Sequence, residues 1–347
     1  MVAARSSRPA SYHAAVPSNR RNHVASRAYL RQWVGNDGRL VRVAGRDGES
    51  EFRTLDSVGY RPYFWGRDSQ VRDRAEGLTS QFESRAAPVL RNLSERWPLK
   101  PGSPDWFAMS LFLGLHFMRS PAGPQQLLRI QGELLAKRLP EYTEGWPEEQ
   151  TQRFLRAVTS EDFRAQVLLD QIVTAASVLG SMHWTLLEFP AALLATSDQP
   201  VTIAPLLAPG ESAPVLPLLR GPVFNAEEIR IAVSPRHALL LTWLNEPCDG
   251  GAVQAGDDLA AHLNRAVISQ REDEWFHHPD RRPTTLVAPL FSEVGACSLL
   301  GRHLLPGYDY GAAVSSPRRW KALGNLDRMV EQDIKDRVEI VSVESAA

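Results

Sequence analysis

The chain has 347 residues, with 43% hydrophobic and 23% charged residues and a formal net charge of −1. That is enough apolar material for a large core, and it gives no whole-chain drive toward nucleic acid or an anionic membrane. No run approaches eighteen apolar residues and no export-type apolar stretch opens the chain, while Cys248 and Cys297 are too isolated for a disulfide framework; the expectation is a cytoplasmic protein without a membrane span.

The first fifty residues carry nine arginines against Asp37, Asp47 and Glu49, a net of +6. Residues 1–21 lack periodicity and read as a disordered basic tail. Nucleic acid held by this segment is the one macromolecular partner that the charge distribution leaves open. Lys100, Lys137, Lys321 and Lys335 are the only lysines, so a mechanism needing a site lysine has four places to find one.

From His23 to Trp33, Tyr29, Leu30 and Trp33 fall at helical spacing, which predicts a short helix with an aromatic face. Leu40–Val43 and Glu51–Thr54 flank Gly45-Arg46-Asp47-Gly48 as the arms of a hairpin. Tyr60 to Trp65 is an aromatic cluster around Pro62, read as core packing first and as a stacking platform second. The three-and-four spacing of Val71, Ala75, Leu78, Phe82, Val89, Leu93 and Trp97 predicts a long amphipathic helix, with Pro88 expected to bend or split it. Ser103-Pro104-Asp105 has the order of an N-cap, first helical position and acidic first turn. The helix it opens is apolar almost all round up to Met118, and is therefore expected to be central.

Helices are predicted near 124–138, 147–158 and 160–180, completing an all-helical block over 69–180. The pattern then switches to strands at 182–188, 192–196, 228–233 and 239–243, with a Pro-rich loop or edge over 204–222. A helix from Asp257 to Gln270 and a terminal helix around 322–336 close the series. The fold class implied is α+β: a central all-helical block between an N-terminal hairpin segment and a C-terminal mixed or antiparallel sheet. One domain over 22–280 and a C-terminal extension over 281–347 are expected.

Strong catalytic motifs are missing: there is no P-loop, no dinucleotide-binding glycine signature, no His-Glu-x-x-His and no Gly-x-Ser-x-Gly elbow. Asp198, after Ser197 at the end of an apolar strand, is a candidate general base or hard metal ligand, or an acid that fixes its own turn. His23 suits proton transfer or core packing. Arg119, at the exit of the apolar helix, suits a carboxylate or phosphate, or the helix-end carbonyls. Glu83 and Asn264 are by default a solvated-face charge and a polar helix flank. Adjacent His277 and His278, with His262, have ligand types but no ligand spacing.

Taken in order, His23-Val24, Tyr29 to Trp33, Phe82 to Leu90, Arg119-Ser120-Pro121, Trp184-Thr185-Leu186, Thr196 to Val201, Ser234-Pro235-Arg236 and Asn264 resemble a bacterial family known as domain of unknown function 4238. The resemblance covers roughly 22–280. It brings no established activity or cofactor, but it implies that His23, Glu83, Arg119, Ser197, Asp198 and Asn264 form one recurrent polar pattern. Two functions stay open. One is a hydrolase acting on a phosphate-bearing or nucleic-acid substrate, with Asp198 as base or metal ligand, His23 as acid or base and Arg119 as anion clamp. The other is a non-catalytic binding or effector protein, in a stress or phage-defence setting, in which the same residues knit sheet to helices.

Overall fold

A computed structural model describes residues 21–45, 48–120, 143–158, 160–190, 194–205, 226–244, 251–280, 283, 315–322 and 324. Residues 1–20 of the expected tail, the helix at 124–138, both cysteines and nearly all of the terminal helix lie outside these residues, while Arg21, expected in the tail, opens a strand.

The fold is α+β. Strand β1 (Arg21–His23) precedes helix α1 (Arg27–Leu30), which runs into a 3-10 turn at Arg31–Trp33. The predicted aromatic face is present: Tyr29, Leu30 and Trp33 are fully buried. The hairpin is β2 (Arg39–Ala44) and β3 (Glu49–Thr54), and β4 (Tyr60–Pro62) pairs back onto β1 with His23 opposite Tyr60. Helix α2 (Ser69–Arg91) is followed by α3 (Leu93–Arg96), α4 (Pro104–Met118), α5 (Glu148–Val158) and α6 (Glu161–Ser181). Strands β5 (His183–Glu188), β6 (Thr196–Ser197), β7 (Val201–Pro205), β8 (Ala226–Ser234), β9 (His237–Thr242) and β10 (Val253–Gln254) lead to α7 (Asp257–Gln270) and β11 (Glu274–His277).

Helix α4 starts as its sequence dictates. The Ser103 hydroxyl accepts the Trp106 amide at 3.2 Å, with Pro104 in the first turn. The helix is central because it is buried on nearly every side, and it lies close to α6. A Cβ on Gly114 would sit 2.6 Å from the Ile172 carbonyl oxygen, so only glycine lets these two backbones approach. Trp106 stacks on Trp184 of β5 at 4.0 Å between ring centroids, tying α4 to the sheet.

Two larger sheets accompany the helices. One is mixed, in the order β10-β5-β9-β8-β7, with only the β10–β5 pair parallel. The continuous apolar run of β9 is buried on both faces, as such runs are. The other sheet is antiparallel, in the order β3-β2-β11-β6. The N-terminal hairpin is therefore not a separate segment: β11, more than two hundred residues later, lies between it and β6.

Several expectations are corrected locally. Of the two outcomes expected at Pro88, a bend or a split, the split does not occur: Pro88 sits inside α2, and the break falls at Asn92. The lost backbone bond at Pro88 is offset by Ala86, Val89 and Leu90, which hold both sides of it against one core. The strand expected at 192–196 reduces to Thr196–Ser197 within the described residues. Val201–Pro205, whose end was expected in a loop, is a strand, and so is Glu274–His277.

Candidate functional site

Ser197 ends β6, beside β11, Asp198 follows it directly, and both are buried. The Ser197 hydroxyl donates to the Gln199 carbonyl at 2.9 Å and accepts the Gln199 amide at 3.0 Å, a closed turn. Asp198 clamps the segment entering β11. Its Oδ1 accepts the Glu272 amide at 3.0 Å, and its Oδ2 accepts the amides of Asp273 and Glu274 at 2.7 and 3.3 Å. Its own amide returns to the Glu274 carbonyl at 3.1 Å. Burial pushes the Asp198 carboxyl up to about 6, against those three amides, which pull it down, and with help from the nearby Glu274 charge. Glu274 is itself engaged, accepting the Gly59 amide at 2.8 Å and pairing with Arg42. Asn264 of α7 accepts the Ala195 amide at 2.6 Å, so it anchors the approach to β6.

Arg119 and Glu83 meet elsewhere. On α2, Arg72, Glu76, Thr79 and Glu83 recur at four, three and four residues, placing a polar stripe on one face of the helix. Arg119 caps α4 and is 2% exposed; its Nη1 donates to Glu83 Oε1 at 2.6 Å, and its guanidinium lies 5.8 Å from the Trp65 ring centroid. Asn22 completes the wall. Its Nδ2 donates to Glu76 at 2.8 Å, and its Oδ1 accepts the Trp65 amide at 3.3 Å. His23 follows Asn22 on β1, half-buried.

One turn before Arg119 on α4, His116 is fully buried between Tyr29 and Phe112, with ring centroids 5.0 and 4.4 Å away. Burial, and then the Arg119 charge, hold it well below the usual histidine range, so the ring is neutral. Tyr29 reaches past it to Thr196 Oγ1 at 2.6 Å and to the Ala232 carbonyl at 2.5 Å, and burial pushes its phenol up. Within this cluster Arg119 Nε, Trp65 Nε1 and both His116 ring nitrogens are buried without a hydrogen-bond partner among the described residues. Such groups are costly to bury.

The six residues of the expected pattern thus fall into two neighbouring groups. Ser197, Asp198 and Asn264 hold β6 to β11 and α7, while Arg119, paired with Glu83, and Asn22, on the strand of His23, flank Trp65. A hydrogen bond of 3.1 Å from Ser120 to Gln199 joins the chain just after Arg119 to the chain just after Asp198. Sequence reasoning missed His116, Asn22 and Glu76. A lone histidine three residues before Arg119 in an otherwise apolar helix was the available signal for His116. Among the described residues no three His, Cys, Asp or Glu side chains are disposed to hold a metal ion, and the Asp198 oxygens face backbone amides.

No helix among the described residues is long and apolar enough to cross a membrane. No curated protein and no solved structure matches the chain. Residues 21–281, three quarters of the chain and every residue of both polar groups, match the family described as Protein of unknown function (DUF4238), and the chain belongs to that family.

Proposed function

We propose that the protein is a cytoplasmic binder of a small phosphate-bearing ligand, with Arg119 at the base of the site. The observation that carries this reading is the group of buried donors around Arg119, namely its own Nε and Trp65 Nε1, beside the neutral His116 ring. Phosphate oxygens accept several charge-assisted hydrogen bonds at once, which suits donors that have no acceptor. Glu83 holds Nη1 in the meantime and, at 18% side-chain exposure, forms the open side of the pair.

Calorimetric titration with inorganic phosphate and with a mononucleotide tests this. Removing Arg119 would cost about 3–5 kcal/mol of folding stability by stranding Glu83, so Glu83→Gln is the sharper variant. It removes a competing negative charge and should tighten phosphate binding several-fold. Absence of saturable binding up to about 10 mM, an affinity weaker than about −3 kcal/mol, in both wild type and Glu83→Gln rejects the reading.

A hydrolase using Asp198 has one observation in its favour, the carboxyl lifted to about 6, a range suited to proton transfer near neutrality. Asp198→Asn separates the two: phosphate binding kept with only stability altered supports the binder, whereas loss of phosphomonoester hydrolysis at unchanged stability supports the enzyme.

A further inference from the structure

At the rim of the mixed sheet, β8 and β9 are joined by the two-residue turn Pro235-Arg236. The turn puts Ser234 opposite His237, and His237 is in turn the cross-strand neighbour of Glu188 on β5. Ser234 Oγ lies 2.8 Å from His237 Nδ1, and Oγ also accepts the Arg236 amide at 3.2 Å. On the other side of the ring, His237 Nε2 lies 3.8 Å from Glu188 Oε1, an ion-pair distance longer than a hydrogen bond. Gln254 of β10 donates to the second Glu188 oxygen at 2.6 Å.

These contacts allow a proton arrangement suited to nucleophilic chemistry. Burial lowers the His237 titration, opposed by Glu188 and assisted by Arg236, so the ring is neutral near pH 7. Oγ accepts the Arg236 amide through one lone pair, and the arrangement competent for chemistry is the one in which the Ser234 proton points at Nδ1 and the ring proton sits on Nε2, facing Glu188. That is the order of a nucleophile, its base and a carboxylate that fixes the tautomer. The frame is rigid: the Phe189 and Leu194 amides donate to the Arg236 and Pro235 carbonyls, each at 2.9 Å. It is also open, since His237 and Glu188 side chains are 25% and 28% exposed and Arg236 is exposed.

We propose that Ser234 is a nucleophile, with His237 as its base and Glu188 as a positioning residue, that takes an acyl group from a carboxylic ester. Ser234 Oγ adds to the ester carbonyl while its proton passes to His237 Nδ1. The carbon–oxygen bond to the leaving group breaks, and the departing alkoxide takes that proton as an alcohol. Water, deprotonated by the same nitrogen, then cleaves the seryl ester to the acid and restores the hydroxyl.

The full-length protein treated with a fluorophosphonate tests this. Oγ should displace fluoride, and the intact mass should rise by one phosphonyl group placed on Ser234 by peptide fragmentation. His237→Asn should slow labelling roughly a hundred-fold. Glu188 and Arg236 are the charged groups facing His237, and Glu188 raises its titration; Glu188→Gln should therefore move the labelling midpoint to lower pH, which a merely structural role would not do. Labelling of the wild type needs no substituted chain, so a folding failure in a variant leaves the test intact. An unlabelled Ser234 in folded wild type, or equal labelling rates in wild type and His237→Asn, overturns the proposal.

Discussion

Asp198 shows how one carboxylate can look catalytic in sequence and be occupied in the fold. Both oxygens are spent on the amides of 272–274, yet burial lifts its titration from 3.8 to about 6. A folded-state value above the unfolded one means that the native state binds more protons between those limits. The associated stability is fully present below about pH 4 and is lost as pH rises through 6. Its size, at about 1.4 kcal/mol per pH unit, is about 3 kcal/mol. Urea unfolding of wild type and Asp198→Asn at pH 4, 5.5 and 7 should show the wild type losing about that much relative to the variant. A difference that stays flat, or grows in favour of wild type, would mean that the three amides hold the carboxylate ionised. His116 gives the companion prediction. A neutral ring with no acceptor or donor partner among the described residues carries a desolvation cost of about 1–3 kcal/mol. His116→Leu should raise the thermal midpoint while weakening phosphate binding, and a fall in that midpoint would show that the ring nitrogens are bound.

Elements with strong local patterns, apolar strands such as β5 included, were legible in the sequence, and short strands defined only by remote pairing were not. The Ser103-Pro104 start of α4, the boundaries of α7 and the aromatic face of Tyr29 and Trp33 all follow from spacing and capping that act within one or two turns. β11 did not follow, because Glu-Trp-Phe-His becomes a strand only through partners on β2 and β6. The site behaved the same way. An ordered set of residues announced a shared pattern, but it could not separate the carboxylate that clamps β11 from the arginine that pairs with Glu83, since both are polar residues at element ends. His116 was hidden because an apolar helix is read for its apolar positions. Gly114 makes the α4–α6 packing testable: a methyl group there would sit 2.6 Å from the Ile172 oxygen and 2.8 Å from the Ala176 nitrogen. Both are backbone atoms that cannot swing aside. Gly114→Ala should therefore cost about 1–3 kcal/mol by forcing the helices apart, read as a lowered urea midpoint with unchanged slope. A stabilised variant, as expected for a solvent-facing helical Gly→Ala, would show that the two helices are not in such close contact.

Across the whole molecule the two ends of the family region are bound into one sheet. Arg42 of β2 pairs with Glu274 of β11, Glu274 also accepts the Gly59 amide, and Asp198 clamps the turn that leads into β11. The helical block lies between these segments in sequence, and Tyr29 joins it to them through Thr196 and Ala232. A helical unit free to melt alone would have to break the Trp106–Trp184 stack and the Tyr29 contacts while leaving the sheet intact, and those contacts lie in the same continuous apolar core. Unfolding should therefore be cooperative between helices and sheets despite the length of the chain. Far-ultraviolet ellipticity, dominated by the helices, and tryptophan fluorescence, which samples Trp106 in α4 as well as Trp184 and Trp275 in strands, should give coincident urea transitions. Glu274→Ala should shift both midpoints equally, because it loosens the strand that closes the sheet. An early fluorescence change with ellipticity retained would instead place the clasp outside the cooperative unit, and the helical block would then be a domain in its own right.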